Sequence, residues 1–324
     1  MPDISVIIPV YNVEKYLRQC LDSVVKQTLH DIEIIIINNG ASAAENEIIT
    51  EYKQADNRIK VINFEQNQGY GKAVNIGLKT ASAPYISIVE SDDYIDADMY
   101  ENLYNLIKKY DADIIKSAYK AFTKNEIKIR LNNFNIPQDS CFKLTEYPVF
   151  ISEHPSIWSC LYKKKFLTDN NIFFIERKGT SWVDNAFQLE SLYKADKILY
   201  TNKAFYHYRD CRENSSSMIN KALNVPYQAV NDMQNIIDKY NITDSGILYN
   251  LALRIMSYIK ITVDRADFAD IKEITPMINE MFEQIEEDLR ENERYKKLKK
   301  RFYNKPLEHY FIFKKLKSIL KFAG

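Results

Sequence analysis

Cysteine is scarce in this 324-residue chain, and its four cysteines lie far apart. None of them forms a Cys-x-x-Cys pair, so the sequence favours reduced thiols over a disulfide framework or a cysteine-bound zinc site. The chain also lacks an apolar run of the roughly 20 residues that a membrane-spanning helix needs, and no signal-peptide pattern follows Met1. We therefore expect a cytoplasmic protein that is at most peripheral to a membrane.

Net charge is absent too, because 44 Lys and Arg residues balance 44 Asp and Glu residues. The balance is uneven along the chain, with a net charge of −6 over residues 1–120 and +10 over residues 294–324. A Lys-rich amphipathic tail suits an anionic membrane surface. The acidic stretch 270–293, with a net charge of −7, offers the tail a partner inside one helical module instead. Both interpretations remain open.

Strand-like and helix-like segments alternate through the first 117 residues. Continuous apolar runs such as Ile4–Val10 and Ile32–Ile37 predict strands buried on both faces. Between such runs, apolar residues recur at helical spacing, and we predict Asn12 as the N-cap of the first helix. This alternation predicts an α/β fold, a mostly parallel sheet with helices on both faces. From residue 220 onward the pattern becomes helical, with one helix predicted to begin at Thr275-Pro276.

Polar loops follow the first four predicted strands, at the sheet edge where ligands bind in folds of this class. The loops are Pro9-Val10-Tyr11-Asn12, Asn38-Asn39-Gly40, Asn67-Gln68-Gly69-Tyr70-Gly71-Lys72 and Glu90-Ser91-Asp92-Asp93. Glycine is scarce, with seven residues in all, and four of them lie at or just after these loops. Such positions suit sharp turns or close backbone approach to a ligand.

Three acids in the fourth loop form the most informative cluster. Glu90, Asp92 and Asp93 directly follow the apolar run Tyr85–Val89, and like charges this close repel each other unless a cation neutralises them. Oxygen ligands suit Mg²⁺ or Mn²⁺, which bridge to phosphate oxygens. The structural alternative is a solvated turn whose acids cap the following helix.

Taken in order, these motifs resemble glycosyltransferase family 2, enzymes of the GT-A fold that build bacterial capsule, lipopolysaccharide or exopolysaccharide. The resemblance runs over roughly residues 3–218. It is carried by the opening Ser5–Asn12, by Gln68-Gly69 with Asn75-Ile76-Gly77-Leu78, by Glu90-Ser91-Asp92-Asp93, and by the segment Tyr206–Ser217.

The resemblance implies a GT-A glycosyltransferase domain at residues 1–218 and a helical C-terminal module with a basic amphipathic tail at residues 219–324. Within the first domain, residues 1–117 would bind the nucleotide-sugar and residues 118–218 the acceptor. The implied reaction is an inverting transfer from a nucleoside-diphosphate sugar, with UDP favoured, to a hydroxyl of a glycan or lipid-linked acceptor. No nucleic-acid partner is implied.

The family pattern also assigns roles to individual residues. Asp184 matches the second acid of the family's Glu-Asp motif and would be the catalytic base. Glu90, Asp92 and Asp93 match the Asp-x-Asp region and would hold Mn²⁺ or Mg²⁺. The implied nucleotide-sugar contacts are Pro9, Tyr11, Asn12, Asn39, Gly69, Lys72, Asn75, Ser91, His207, Arg209 and Arg212.

The sequence departs from the family pattern in three places. Asn38-Asn39 replace paired aspartates, and an Asn amide is able to accept from uracil N3–H or donate to cytosine N3. Glu90 replaces an aspartate, and Val183 replaces the first acid of the Glu-Asp motif. These departures leave a second function open, that of a non-catalytic nucleotide-binding relative acting as an assembly partner.

Individual residues also have possible structural roles that involve no ligand. Asp184 is also a plausible helix N-cap, His207 a packed strand residue, and Arg209 and Arg212 surface charges. A dinucleotide-dependent oxidoreductase is disfavoured, because no Gly-x-Gly-x-x-Gly opens the first helix.

Overall fold

The structure is a computed structural model that describes residues 1–122, 126–130, 135–138, 140–152, 154–178, 182–209, 223–303, 307 and 310. These residues fall into two compact units. The first is built on residues 1–150 and 154–209, and the second on residues 223–303.

Nine strands of the described residues form one sheet in the first unit. They are β1 (Ile4–Val10), β2 (Ile32–Asn39), β3 (Ile59–Phe64), β4 (Tyr85–Ile88), β5 (Tyr94–Ile95), β6 (Ile114–Phe122), β7 (Ile127–Arg130), β8 (Cys160–Lys163) and β9 (Ile198–Arg209). Their order is β3-β2-β1-β4-β8-β6-β9-β5, and β7 pairs with β6.

The first four strands are parallel, as predicted, because β1 pairs in parallel with β2 and β4, and β2 with β3. The second half of the sheet is mixed. There β8 lies antiparallel between β4 and β6, while β6 and β9 are parallel to each other. As a result β1, β2, β4, β6 and β9 all run in one direction, and their carboxyl ends lie along the same edge of the sheet.

Six α-helices belong to the described part of this unit. They are α1 (Glu14–Val25), α2 (Ala43–Ala55), α3 (Tyr70–Thr80), α4 (Met99–Tyr110), α5 (Lys164–Asp169) and α6 (Asp184–Lys194). A short 3₁₀ helix, Ile157–Ser159, precedes β8. The helical spacing read from the sequence is confirmed in α1, whose Leu17, Cys20, Leu21 and Val24 are buried.

The start of α1 differs from the prediction. Asn12 has a φ of +56° and lies outside the helix, and Val13 is the N-cap. Val13 has no capping side chain of its own, but its N–H donates to the Glu45 carboxylate at 2.6 Å. Glu45 also completes a capping box with Ser42 at the start of α2. The prediction of Asn12 as the N-cap was therefore wrong, and the Glu45 carboxylate anchors the backbone at the start of α1 by accepting from the N-cap N–H.

The second unit consists of helices in its described residues. They are α7 (Val225–Tyr240), α8 (Ser245–Arg265), α9 (Ile271–Leu289) and α10 (Glu293–Phe302), with a 3₁₀ turn at Phe268–Asp270. Within the described residues no helix combines the length and apolarity needed to cross a membrane.

The predicted helix start at Thr275-Pro276 was wrong. A capping box between Asp267 and Asp270 precedes α9, which begins at Ile271 and contains Pro276 in its second turn. Pro276 lacks the N–H that a helical hydrogen bond needs. The Thr275 hydroxyl donates to the Ile271 carbonyl at 2.6 Å, a bond one residue before the position that Pro276 interrupts.

A buried carboxylate fixes the sheet edge opposite the carboxyl ends. Glu33, at the start of β2, accepts hydrogen bonds from the Ser5 hydroxyl at 2.5 Å, the Ser82 N–H at 2.6 Å and the Lys60 ammonium at 2.6 Å. Burial by itself raises the pKa of Glu33, but the bonds from Lys60, Ser5 and Ser82 outweigh it and lower the pKa from 4.5 to about 2.

Replacing Glu33 by Gln should lower the free energy of unfolding by about 3 kcal/mol at pH 7, the energy that this pKa difference represents. Because the folded-state pKa lies below the unfolded one, the stabilisation is complete above pH 4.5 and disappears as the pH falls towards 2. Urea unfolding at pH 7 and pH 3 measures it, with the exposed Glu65→Gln as control. An equal cost at both pH values would contradict this account.

Candidate active site

The loop after β3 is held by amide side chains from the end of β2. The Asn39 carbonyl accepts from the Gln68 N–H at 2.8 Å, and the Asn39 amide donates to Asn67 Oδ1 at 3.1 Å and to the Gly69 carbonyl at 3.4 Å. Asn38 points elsewhere and donates to Asn46 Oδ1 at 2.6 Å. Of the two asparagines, Asn39 is the one that lies against the glycine-containing loop.

The start of α3 is covered by the segment Phe174–Arg177. Gly69 has a φ of +92°, and a Cβ there would lie 2.5 Å from the Arg177 carbonyl oxygen, so neither the backbone angle nor the space admits another residue. Asn75 is buried, donates to the Phe174 carbonyl at 2.9 Å and accepts from the Phe174 N–H at 2.9 Å. Gly69 and Asn75 thus hold a protein segment over α3.

The beginning of the acidic loop after β4 is fixed by two side-chain hydrogen bonds. The Ser91 hydroxyl donates to the Pro9 carbonyl at 2.7 Å, which ties the loop to the end of β1. The Tyr70 hydroxyl donates to Glu90 Oε1 at 2.5 Å, which ties it to the start of α3. We call Glu90–Asp93 the acidic turn.

Asp93 lies buried beneath this turn rather than on its open side. Its carboxylate accepts from the Tyr206 hydroxyl at 3.0 Å and from the Arg209 N–H at 2.8 Å, both on β9. Burial, followed by the charge of Asp92, raises the pKa of Asp93 well above its usual range. Both oxygens of Asp93 are engaged within the protein, so we leave it out of the proposed metal-binding set.

Arg209 and His207 lie two residues apart on β9 and differ in what they contact. The Arg209 guanidinium donates to the Asp92 backbone carbonyl at 2.7 Å and stacks on the rings of Tyr16 and Tyr94. His207 is buried, stacks on Tyr94 at 4.2 Å and contacts Asp96 through Nε2 at 2.6 Å. Burial is the largest cause of its lowered pKa. His207 is therefore a packed strand residue, whereas Arg209 lies against the acidic turn.

Asp184 is the first residue of α6, and the start of this helix packs towards the acidic turn. Phe187, in the same helical turn, stacks on Phe174 at 4.0 Å, and Phe174 meets Tyr70 edge-on at 5.9 Å. Tyr70 is half-buried, and its pKa is raised first by that burial, then by Glu90, and then by the charge of Asp184. The ring of Tyr70 therefore links the start of α6 to Glu90.

The residues around Asp184 explain one departure from the family pattern. Val183 is buried, with 1% of its surface exposed, so an acid at this position would carry its charge into the core. Trp182 has a φ of +74°, a conformation that bulky residues rarely adopt and that is concentrated at functional sites.

Several implied contacts are accessible. Tyr11 is 49% exposed and Asn12 is exposed, while Lys72 is half-buried at the start of α3 and donates to Gln68 Oε1 at 3.3 Å. Arg212 lies outside the described residues. Tyr70 and Tyr206 hold the acidic turn through their hydroxyls, a role that no sequence pattern indicated.

The donors of the acidic turn decide whether it suits a divalent cation. Within the described ranges, no three His, Cys, Asp or Glu side chains are grouped to hold a metal by themselves. The turn does present the carboxylates of Glu90 and Asp92, both partly exposed. Mg²⁺ typically takes one or two carboxylates and completes its shell with water and substrate phosphates. The donors fit a cation that arrives with a diphosphate.

This chain is similar in sequence to known glycosyltransferases. The family model for glycosyl transferase family 2 matches residues 5–170. Glycosyltransferase GlyA of Streptococcus pneumoniae is 36% identical over 219 residues, which is 64% of this chain and 30% of GlyA. GlyG of the same organism is 30% identical over 220 residues, 64% of this chain and 70% of GlyG. The chain thus spans under a third of one relative's length and about two thirds of the other's.

The fold has solved counterparts. The crystal structure of Staphylococcus aureus TarS 1–349 in complex with UDP-GlcNAc superposes with a TM-score of 0.71 at 20% identity, covering 88% of this chain and 82% of that one. The GT-A-type fold expected from the sequence is confirmed. From the matched family model and these relatives, the chain belongs to glycosyltransferase family 2.

Proposed function

We propose that this chain is an inverting, metal-dependent glycosyltransferase that moves a sugar from a UDP-sugar to a hydroxyl of a glycan or lipid-linked acceptor in surface polysaccharide synthesis. The observation that carries the proposal is that Tyr70 links the acidic turn to α6, the helix that Asp184 opens. Its hydroxyl donates to Glu90, and its ring packs on Phe174, on which Phe187 of α6 stacks. This arrangement puts a carboxylate suited to a proton transfer beside a turn suited to a diphosphate. Membership of the family supports the reaction class.

The reaction would be a single displacement at the anomeric carbon. Asp184 takes the proton from the acceptor hydroxyl as its oxygen forms the new bond to that carbon. The bond from the anomeric carbon to the diphosphate oxygen breaks at the same time, and UDP leaves with the bonding electrons. Because the acceptor oxygen attacks on the face opposite the departing diphosphate, a single displacement inverts the configuration at the anomeric carbon.

The acidic turn would receive the diphosphate. Asp92 and Glu90 would hold Mn²⁺ or Mg²⁺, which when bound neutralises charge that develops on the departing phosphate. Arg209 keeps the backbone of Asp92 in place through its bond to the Asp92 carbonyl. Tyr70 does the same for the Glu90 side chain. Both residues position the turn and so limit its motion during the reaction.

Asn39 would read the base. Both hydrogens of its amide group have partners, Asn67 Oδ1 and the Gly69 carbonyl, whereas its carbonyl oxygen accepts from Gln68 and keeps capacity for a second bond. Uracil N3–H is a donor and matches that oxygen. Cytosine N3 is an acceptor and does not. Of the two alternatives that the sequence left open, this geometry favours uracil.

A thermal-shift comparison of UDP and CDP, each with Mn²⁺, tests the proposal with a matched pair of ligands. At 100 times its Kd, a ligand stabilises the folded state by about 2.7 kcal/mol, so UDP should raise the Tm by about 5 to 10 °C. We expect a much smaller rise with CDP, since the two nucleotides differ only on the pyrimidine edge. A larger shift with CDP would refute the role of Asn39, and no shift with either would refute the nucleotide site.

Turnover separates this function from that of a non-catalytic relative. Release of UDP from UDP-GlcNAc or UDP-glucose is the signature of catalysis, and UDP-GlcNAc comes first because the TarS structure with a similar fold contains it. Contact of the basic tail with a membrane stays a prediction, since most of residues 304–324 lie outside the described residues.

A further inference from the structure

A cluster of aromatic rings lies beside the acidic turn, and the proposed reaction does not yet use it. It consists of Tyr119 on β6, Tyr208 on β9, and His154 and Trp158 from the loop before β8; we call it the aromatic platform. Tyr208 stacks on Trp158 with 5.1 Å between ring centroids and 15° between planes. Tyr119 meets Trp158 edge-on at 4.8 Å, and His154 lies 5.8 Å from Tyr208.

The platform is joined to the acidic turn through Tyr206. Trp158 stacks on Tyr206 at 4.1 Å. The Tyr206 hydroxyl in turn donates to Asp93 and accepts from the Glu90 N–H at 3.1 Å. The platform and the turn are therefore separated by a single ring.

The platform is also joined to the helix that carries Asp184. Gln188 lies one helical turn after Asp184 and donates to the Pro155 carbonyl at 3.1 Å. Tyr162, whose pKa the charge of Asp184 helps to raise, donates to the Ile157 carbonyl at 3.4 Å. The loop that presents His154 and Trp158 thus borders both elements of the proposed chemistry.

The loop is held by a buried lysine. The Lys116 ammonium donates to the Pro155 carbonyl at 2.6 Å, to the Ser156 carbonyl at 3.1 Å and to the Ser156 hydroxyl. Ser156 has a φ of +33°, and its N–H donates to His154 Nδ1 at 3.0 Å. These bonds fix the orientation of the rings before any ligand arrives, which lowers the entropic cost of binding.

Exposure distinguishes the platform from ordinary core packing. Trp158 is buried, with 3% of its surface exposed, and forms the base. Tyr119 and Tyr208 are half-buried and His154 is exposed. Tyr119 and Tyr208 lie in the carboxyl-terminal halves of β6 and β9, towards the edge of the sheet that carries the acidic turn. Rings that serve only as core filling would be covered on this side too.

We infer that the aromatic platform binds a pyranose ring of the acceptor. The axial C–H groups of a pyranose form an apolar face, and these hydrogens carry partial positive charge that suits the negative face of an aromatic ring. A sugar seated there would present its hydroxyl groups towards Asp184 and the turn. The inference rests on the proposed function and names the class of acceptor, a glycan.

Saturation-transfer difference NMR tests the inference with methyl glucopyranoside, methyl galactopyranoside and methyl N-acetylglucosaminide as probes, in the presence of UDP and Mg²⁺. Saturation should pass from the protein to ring C–H protons of at least one probe. Tyr208→Leu, which keeps apolar volume but removes the aromatic face, should weaken that probe's binding about tenfold. Tyr208→Phe should bind it as the natural protein does.

The matched control is Tyr110→Leu, which replaces a half-buried tyrosine at the end of α4 and should leave probe binding unchanged. The inference of sugar binding is refuted if the Leu and Phe variants at position 208 bind the probe equally. It is also refuted if no probe binds to a protein that binds UDP; in both cases the proposed function is unaffected. If the same samples fail to bind UDP, the proposed function itself is refuted.

Discussion

The Asp184→Asn variant should lose sugar transfer almost completely while binding UDP as the natural protein does. Removing a positioned general base typically costs a factor of about 10² to 10⁴ in rate, and an amide cannot take the acceptor's proton. Asn keeps the size and the polarity of the side chain. UDP release from a UDP-sugar with acceptor present measures the rate, and calorimetry measures UDP affinity.

The change at position 184 should have little effect on folding. Asp184 lies in the first turn of α6, where a negative charge interacts favourably with the helix dipole by about 0.3 to 1 kcal/mol. The matched control is Asp196→Asn, an exposed acid just beyond the other end of the same helix that pairs with Lys143. Transfer near the natural rate in Asp184→Asn, with Asp196→Asn also active, would exclude Asp184 as the base.

Loss of the Asp92 carboxylate, which we propose to hold the metal ion, should have an effect of similar size. A bound divalent cation contributes several kcal/mol to the stabilisation of a departing phosphate, so Asp92→Asn should lower kcat/KM by a factor of about 10² to 10⁴. The acidic turn offers two carboxylates to a cation, and the diphosphate supplies further oxygens. Mn²⁺ should therefore bind far more tightly with UDP than without it.

Electron paramagnetic resonance of free Mn²⁺ measures this coupling, because the signal falls as the ion binds. UDP should strengthen binding in the natural protein and have no such effect in Asp92→Asn. Asp98→Asn is the matched control, an exposed acid just before α4 whose carboxylate accepts a hydrogen bond from the Asn102 amide at 3.1 Å. Tight Mn²⁺ binding that persists in Asp92→Asn would place the cation elsewhere.

The first half of the sheet was largely predictable, because strands buried on both faces appear in the sequence as continuous apolar runs. The run Ile4–Val10 coincides with β1, and Ile32–Ile37 lies within β2. The second half was harder. Between β6 and β9 the register shifts near Ser117 and Ala118, and such irregularities interrupt regular strand pairing, so an apolar pattern does not reveal them.

The site was predictable where the chemistry is local and unpredictable where it depends on contacts between distant residues. The acidic turn and Asp184 stand out as acids next to predicted elements. The hydroxyls that fix them come from Tyr70 and Tyr206, and nothing in the sequence distinguishes these from the other tyrosines of the chain. The burial of Asp93 likewise follows from β9, more than 110 residues later in the chain.

The central claim is that the acidic turn and Asp184 both contact the same bound nucleotide-sugar. A crystal structure of the protein with UDP and Mn²⁺ tests it most directly. We predict Mn²⁺ bound by oxygens of Asp92 and the diphosphate, uracil N3–H donating to Asn39, and Asp184 on the open side of the diphosphate. UDP bound away from the acidic turn, or Mn²⁺ with no ligand from that turn, would contradict the account.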